Sequence, residues 1–456
     1  MPSPAQPTLY TYVRPADLRR SPTMSAAEMA KDAVSKGVQV DIFTVGDLFP
    51  KPVEADVAAW VKALKDEAAK PENKGKPIYT LRTADKWRAY GETAGLPSFR
   101  AAAAEVFSRD YGMKADAGHV VVGNGGKGAL SGAFYYLASK KDALVLMAAP
   151  GWPTNYDLFP TGCTLVEVDT NGRGIMSAEQ LEGALAALGR EPDIIFINAP
   201  TNPTGANYTA AEREALMEVV TRCTKTAVLA SDDPYGKLVF DRAPYNIATV
   251  LNRGAHEIAL FDAGRLAVFR TASKEYGMAD SRTGWVVTKN STLLGSLQSY
   301  NESIGGGMSA RNQLEVQAAL MFGDGFITGT VDTLMKKRAM LIEGIGKLAY
   351  ARMQDPQGTI YGWVNFEGLK GAQVPADAMP DGKGFTINTP EDLNRYLVYV
   401  AGVCGVSGQA FYAPGSPAAA RDWHVRMSFC NEEAELVRGL AKLVAAEAKL
   451  KLAKAA

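Results

Sequence analysis

The sequence predicts an α/β fold: a mostly parallel sheet sandwiched by helices, with a smaller α+β domain built from both chain ends. Three observations lead there. Between about residues 100 and 290, short apolar runs alternate with helical patterns. Those runs are continuous rather than alternating in polarity, as strands covered on both faces require. And 456 residues exceed what one ordinary core organises, so two domains are expected.

Taken in order, HVVVG (119–123) reads as a buried strand and GALSGAFYYLAS (128–139) as a helix. DALVLMA (142–148) and CTLVEVD (163–169) are strands, SAEQLEGALAALG (177–189) is a helix, and PDIIFIN (192–198) is a strand. AAEREALMEVVTRC (210–223) is a helix with acidic residues in its first turn. TAVLAS (226–231), RLAVFR (265–270) and GWVVT (284–288) complete the series. Residues 61–330 therefore form the large domain. Residues 1–60 read as an N-terminal arm and part of the small domain, which residues 331–456 complete. The last segment ends in a strand (423–429) and an amphipathic helix (431–451). Stretch 66–86, rich in Lys, Glu and Pro, and stretch 371–390, rich in Gly, Pro and Asp, read as solvated loops. No internal repeat is present.

Composition excludes several classes of function. Basic and acidic residues balance at 49 each, so bulk charge argues for neither a nucleic-acid partner nor a membrane surface. No run of roughly 18 apolar residues exists to span a bilayer, and the first twenty residues lack a signal-type apolar core. A cytoplasmic protein is expected. Cys163, Cys223, Cys404 and Cys430 are scattered without a CxxC spacing, so buried free thiols are expected and no metal site.

Four strings sit at the ends of successive strands, where open α/β sheets bind their ligands. In SKEYGMADSRTGW (273–285), Lys274 follows an apolar strand and Arg282 stands eight residues on. Such a lysine condenses with an aldehyde when it is desolvated or has a cationic neighbour, and the arginine suits a phosphate. A lone pair of this kind is ordinarily just solvated. NAPTNPTG (198–205) follows the strand PDIIFI and alone would be a turn. In SDDPYGKLVF (231–240) an acid and a tyrosine three apart, Asp232 and Tyr235, reach one pocket. Asp233 is adjacent, and the spacing favours Asp232. GNGGKGAL (123–130) satisfies G-x-G-x-x-G, but no acid follows about twenty residues on to hold a ribose. A single phosphate at a helix N-terminus fits those glycines better.

Together these strings resemble the class I/II aminotransferase family of fold type I, and its bacterial aspartate aminotransferase-like members in particular. The likeness runs from about residue 40 to 430 and rests on the order and spacing of the strings. It implies that pyridoxal 5'-phosphate is held by Lys274, with Arg282, Thr271, Ser273 and the turn Gly126-Lys127-Gly128 on its phosphate. Asp232 would face the ring nitrogen, Asn202 and Tyr235 the ring oxygen, and Trp152 of PGWPTNY (150–156) the ring face. VGDLFP (45–50) resembles the segment whose glycine, Gly46, closes over the substrate. WHVRMSF (423–429) resembles the strand whose arginine, Arg426, grips the α-carboxylate. Tyr90 in YGETAGLPSFR (90–100) matches a tyrosine that reaches the partner subunit's phosphate, implying a homodimer. The substrates implied are an amino acid and a 2-oxo acid, an acidic one being suggested by Lys127, which in relatives with a G-G-K turn contacts the distal carboxylate.

Departures from the family are visible. Many relatives carry a histidine where Asn155 stands, and the loops over 50–90 and 371–395 are longer than usual. Arg311 is poorly placed as a distal-carboxylate ligand. The anchor residues are shared by decarboxylases, lyases and oxidases of the same fold, so another reaction of this cofactor stays open. Retention of Lys274, Asp232 and Arg426 speaks against a non-catalytic member, and the missing acid against a nicotinamide dehydrogenase.

Overall fold

The structure is a computed structural model that describes residues 7–44, 46–48, 51–82, 89–240, 245–247 and 249–450. Parts of the expected segments at 45–50, 66–86 and 431–451 therefore lie outside the described residues.

Eight strands form the large sheet: β1 (Leu9–Val13), β2 (Val120–Asn124), β3 (Leu144–Ala149), β4 (Thr164–Asp169), β5 (Ile194–Asn198), β6 (Val228–Asp232), β7 (Leu266–Thr271) and β8 (Thr283–Thr288). Their spatial order is β1-β4-β3-β5-β6-β7-β8-β2. The five from β4 to β7 run parallel. β8 is antiparallel to both of its neighbours, and β1 is antiparallel to β4. Apart from the edge strand β1, the strands are buried on both faces, and successive residues feed different cores. Val145 and Met147 join the cluster under helix Gly125–Ala138, while Leu144 and Leu146 join the cluster under helices Pro97–Tyr111 and Ala210–Cys223. This two-faced burial is why the strands read as unbroken apolar runs.

Four elements differ from the sequence reading. β1 adds an edge strand to the large sheet from within the stretch assigned to the arm and small domain; its Leu-Tyr-Thr-Tyr-Val is only half-buried and carries a weak signal. The helix expected from 128 starts at Gly125, so the glycine turn is its first turn. Stretch 66–86 is not wholly loop: helix Glu54–Ala69 enters it, followed by single turns at Pro71–Asn73 and Pro77–Tyr79. Within 371–395 a two-residue hairpin pairs Gln373–Val374 with Phe385–Thr386, and helix Pro390–Tyr399 follows.

The two chain ends meet on each other. Asp41–Ile42 pairs in parallel with Val403–Cys404. Asp41 sits between Arg438 and Lys442 of the C-terminal helix, and Lys442 also donates to the Gln39 carbonyl at 2.8 Å. Beside them β9 (Tyr361–Asn365), β10 (Val406–Ser407) and β11 (His424–Ser428) form an antiparallel sheet with Trp363 opposite Arg426.

Candidate active site

Strand parity decides what reaches the cleft. In β6, Val228 and Ala230 face the core under helix Gly125–Ala138, and Leu229 faces the opposite core. Asp232 shares the first parity and Asp233 the second. In β7 the same rule sends Thr271 one way and Arg270 the other. The residues of the first set line a cavity of about 270 Å³ at the C-terminal ends of the parallel strands.

That cavity brings together Gly46, Gly126, Lys127, Trp152, Asn202, Asp232, Tyr235, Thr271, Ser273, Lys274, Arg282 and Arg426. Gly128, one residue beyond the lining turn, and Tyr90, which is 91% exposed, stand outside it.

One end of the cleft is cationic. Gly125 has φ +67°, donates its amide to the Arg282 carbonyl at 2.7 Å, and opens the helix whose amides at Gly126, Lys127 and Gly128 have no preceding turn to bond. A Cβ on Gly284 would run into the Gly125–Gly126 backbone, so glycine is required there, and at Gly125 the positive φ favours it. Arg282 itself is left-handed at φ +47° and donates to the Ala279 carbonyl at 3.0 Å. Thr271 caps the short helix Ala272–Glu275, its hydroxyl 2.9 Å from that of Ser273. The Lys127 ammonium lies 5.2 Å from the centre of the Trp152 ring. Burial and the charges of Arg282 and Lys274 lower its proton affinity. Helix amides, two hydroxyls and a guanidinium make an anion cradle suited to a phosphate. Lys274 donates to the Gly46 carbonyl, which draws the N-terminal segment over the cleft.

The two adjacent carboxylates differ completely. Asp233 accepts from Tyr111 at 2.9 Å, Ser231 at 2.6 Å and Arg253 at 2.9 Å. Burial alone would raise it, but Arg253 and Arg213 hold it below the usual carboxylate range. Among the described residues Asp232 pairs with no cation, and its carboxyl accepts from the Asn198 amide at 3.3 Å. Burial and the Asp233 charge push it up to about 8. Such a carboxyl lacks a cationic partner that a bound ring nitrogen would supply.

Arg426 is the converse case, a guanidinium 3% exposed that forms no ion pair with an acid among the described residues. It donates to Asn202 Oδ1 at 2.9 Å and to the Thr44 carbonyl at 3.2 Å, and its Nε has no partner. A planar anion is what it lacks. Tyr235 is buried, its hydroxyl donating to that of Tyr361 at 3.4 Å. Asn155 is buried outside the cleft lining with its Oδ1 unpaired, so it supplies none of the site's contacts.

Sequence reasoning missed Asn198 and Tyr361. Asn198 begins the same NAPTNPTG string and orients both the Asp232 carboxyl and the Asn202 amide, at 3.0 Å. Its place as the last residue of an apolar strand was the available signal. Tyr361 had none, because its position depends on strand register.

The profile of the family described as aminotransferase class I and II matches residues 48–443. The aspartate aminotransferase of Streptomyces avermitilis is 27% identical over 369 residues, covering 78% of this chain and 81% of that protein. The aspartate/prephenate aminotransferase of Cereibacter sphaeroides is 29% identical over 329 residues, covering 71% and 76%. Among solved structures, the aspartate aminotransferase of Rhizobium meliloti shares the fold with a TM-score of 0.76 at 23% identity, over 96% of this chain and 98% of that one.

The raised Asp232 carboxyl has a consequence for stability. Folded, it keeps its proton up to about pH 8; unfolded, it loses it near 3.8. Its contribution is therefore complete below pH 4 and is lost as pH rises towards 8. In cofactor-free protein, Asp232→Asn should resist urea better than wild type at pH 8, with the gap shrinking towards pH 4. Equal pH slopes for the two proteins would contradict this.

Proposed function

Because the chain belongs to the class I and II aminotransferase family, we propose that it moves the amino group of an L-amino acid to a 2-oxo acid with pyridoxal phosphate held on Lys274, and that one substrate is acidic. The observation that carries this reading is the lining of one cleft by Lys274, an acid without a cation (Asp232) and a guanidinium without an acid (Arg426).

When bound, pyridoxal phosphate supplies an electron-accepting ring that stabilises negative charge at the substrate α-carbon. The residues divide the remaining work. Gly126, Lys127 and Gly128 offer helix amides, and Thr271, Ser273 and Arg282 offer donors, to its phosphate. Asp232 would face the ring nitrogen, and a protonated nitrogen there would supply the cation that lets this buried carboxyl be an anion. Asn202 and Tyr235 stand to hold the ring oxygen, and Trp152 covers the ring face. Arg426 would take the α-carboxylate bidentately and turn the α-hydrogen towards Lys274, whose amine, freed once the substrate's amino group takes its place, would accept that proton. Gly46, on which Lys274 rests, narrows the entrance. The donor leaves as a 2-oxo acid, and a second 2-oxo acid accepts the amino group.

The acidic substrate is supported by Lys127, a half-buried ammonium in the cleft, and by the aspartate-directed names of the relatives. Incubating the loaded protein with aspartate or glutamate and an oxo acid should give stoichiometric amino-group exchange without oxygen uptake or carbon dioxide. Lys127→Ser should raise KM for acidic substrates roughly tenfold, the worth of one charge-assisted hydrogen bond, and leave neutral ones nearly unchanged. Release of carbon dioxide, consumption of oxygen, or a uniform loss across substrates would contradict the respective assignments.

The working unit we propose is a homodimer in which each chain lends Tyr90 to the other's phosphate. Tyr90 is 91% exposed on its own chain, and Tyr135 and Ile304 add exposed apolar surface at 61% and 72%. Two-fold symmetry gives each subunit the same exchange. Co-expressed Lys274→Ala and Tyr90→Phe chains should then form hybrids with one site carrying both defects and one carrying neither, recovering about half of wild-type activity per hybrid dimer. Hybrids without recovery above the Tyr90→Phe background would refute the shared site.

A further inference from the structure

Tyr361 touches both halves of the cleft. It is 2% exposed, on β9, and pairs with Ser428 on β11, two residues beyond Arg426. That register makes Tyr361 and Arg426 diagonal neighbours on one face of the small sheet. The Arg426 guanidinium carbon lies 4.1 Å from the centre of the Tyr361 ring, with Phe411 farther off at 5.3 Å. A guanidinium buried without an acid gains from an aromatic face, which offers attraction without occupying the edge that must bind a ligand. The ring thus braces the cation from its face, and among the described residues Nε has no partner. At the other end of the same side chain, the hydroxyl accepts from Tyr235 at 3.4 Å. A Cβ on Gly46 would come 3.1 Å from that hydroxyl and 3.4 Å from Lys274 Nζ, so glycine there leaves room for all three groups.

We propose that Tyr361 is a positioning residue with two separable roles: its ring holds the Arg426 guanidinium for a carboxylate, and its hydroxyl competes for the Tyr235 proton. The proposal rests on the function inferred above, since it gives Arg426 and Tyr235 their ligands. Burial, with the neighbouring Tyr361 phenol, raises Tyr235 well above the usual phenol range, so Tyr235 acts as a donor throughout. While it donates to Tyr361, that proton is not available to a ring oxygen in the cleft. Arg426, by contrast, meets the ring of Tyr361 and not its hydroxyl, and its own donors reach Asn202 Oδ1 and the Thr44 carbonyl.

Two variants separate the roles. Tyr361→Phe keeps the ring and nearly all the buried volume but removes the hydroxyl; Tyr361→Met removes the aromatic face as well. The first readout is the Kd of succinate, which brings carboxylates but no amino group, measured by calorimetry on protein loaded with pyridoxal phosphate. Tyr361→Phe should match wild type, and Tyr361→Met should bind roughly tenfold more weakly. The second readout is the pH midpoint of the bound cofactor's visible absorbance. Tyr361→Phe should shift it downwards, because a freed Tyr235 hydroxyl stabilises the anionic ring oxygen. A merely structural role would move the melting temperature and neither readout selectively.

Tighter or unchanged succinate binding in Tyr361→Met, or an unchanged midpoint in Tyr361→Phe, would overturn the proposal. If Tyr361→Met does not fold, Tyr361→Phe still decides it, since weakened succinate binding there would equally refute the division of roles. Failure of wild type to develop a visible band would instead overturn the functional reading. The succinate comparison, run on the unloaded protein, would still judge the ring's role on Arg426.

Discussion

A buried chain of hydrogen bonds runs behind the large sheet from Asp233 through Tyr111 and Arg270 to Glu275, and the chemistry of the cleft hangs from its two ends. Tyr111 donates to Asp233 at 2.9 Å, Arg270 donates to the Tyr111 hydroxyl at 2.7 Å and pairs with Glu275, and Glu275 accepts the Lys237 amide at 2.7 Å. Asp233 adjoins Asp232, and Glu275 adjoins Lys274. Arg213 and Arg253 close the set against Glu257 and Asp233. Three acids thus meet three guanidiniums away from water. Removing one member of such a set leaves an uncompensated charge at about 3–5 kcal/mol, so the two strand ends are fixed relative to one another.

The opposite face is deliberately unbalanced. Behind the sheet Asp233, Glu257 and Glu275 are paired with Arg253, Arg213 and Arg270, whereas among the described residues of the cleft Lys127, Lys274, Arg282 and Arg426 face one carboxyl, Asp232, that pairs with no cation. An excess of donors on a dry surface selects anionic ligands, and its two ends select different ones. The helix amides with Arg282 suit a tetrahedral phosphate, and the flat Arg426 guanidinium suits a carboxylate. Asp232, between them, suits a basic nitrogen. A phosphorylated heteroaromatic cofactor with an amino acid beside it satisfies all three, which family membership independently implies.

Much of this was legible in the sequence because the polar groups stand at strand ends in short local strings. An apolar run followed by Asp-Asp-Pro-Tyr or Ser-Lys announces both the strand and what it carries. What escaped depends on relations between distant segments or on weak local signals. An apolar run such as GWVVT carries no sign of strand direction, so the antiparallel β8 was not distinguishable from a parallel strand. Three glycines are poor helix formers, which hid the helix start at Gly125. β1 is an edge strand with one exposed face. Tyr361 enters the cleft only through the pairing of β9 with β11, which no local pattern encodes.

The central claim is that Lys274, and not the other lysine of the cleft, carries the cofactor. Protein loaded with pyridoxal phosphate, reduced with borohydride and digested, can be mapped by mass spectrometry. The cofactor-derived mass should appear on the peptide containing Lys274 and be absent from the one containing Lys127. Label on Lys127, or on neither peptide, would contradict the account.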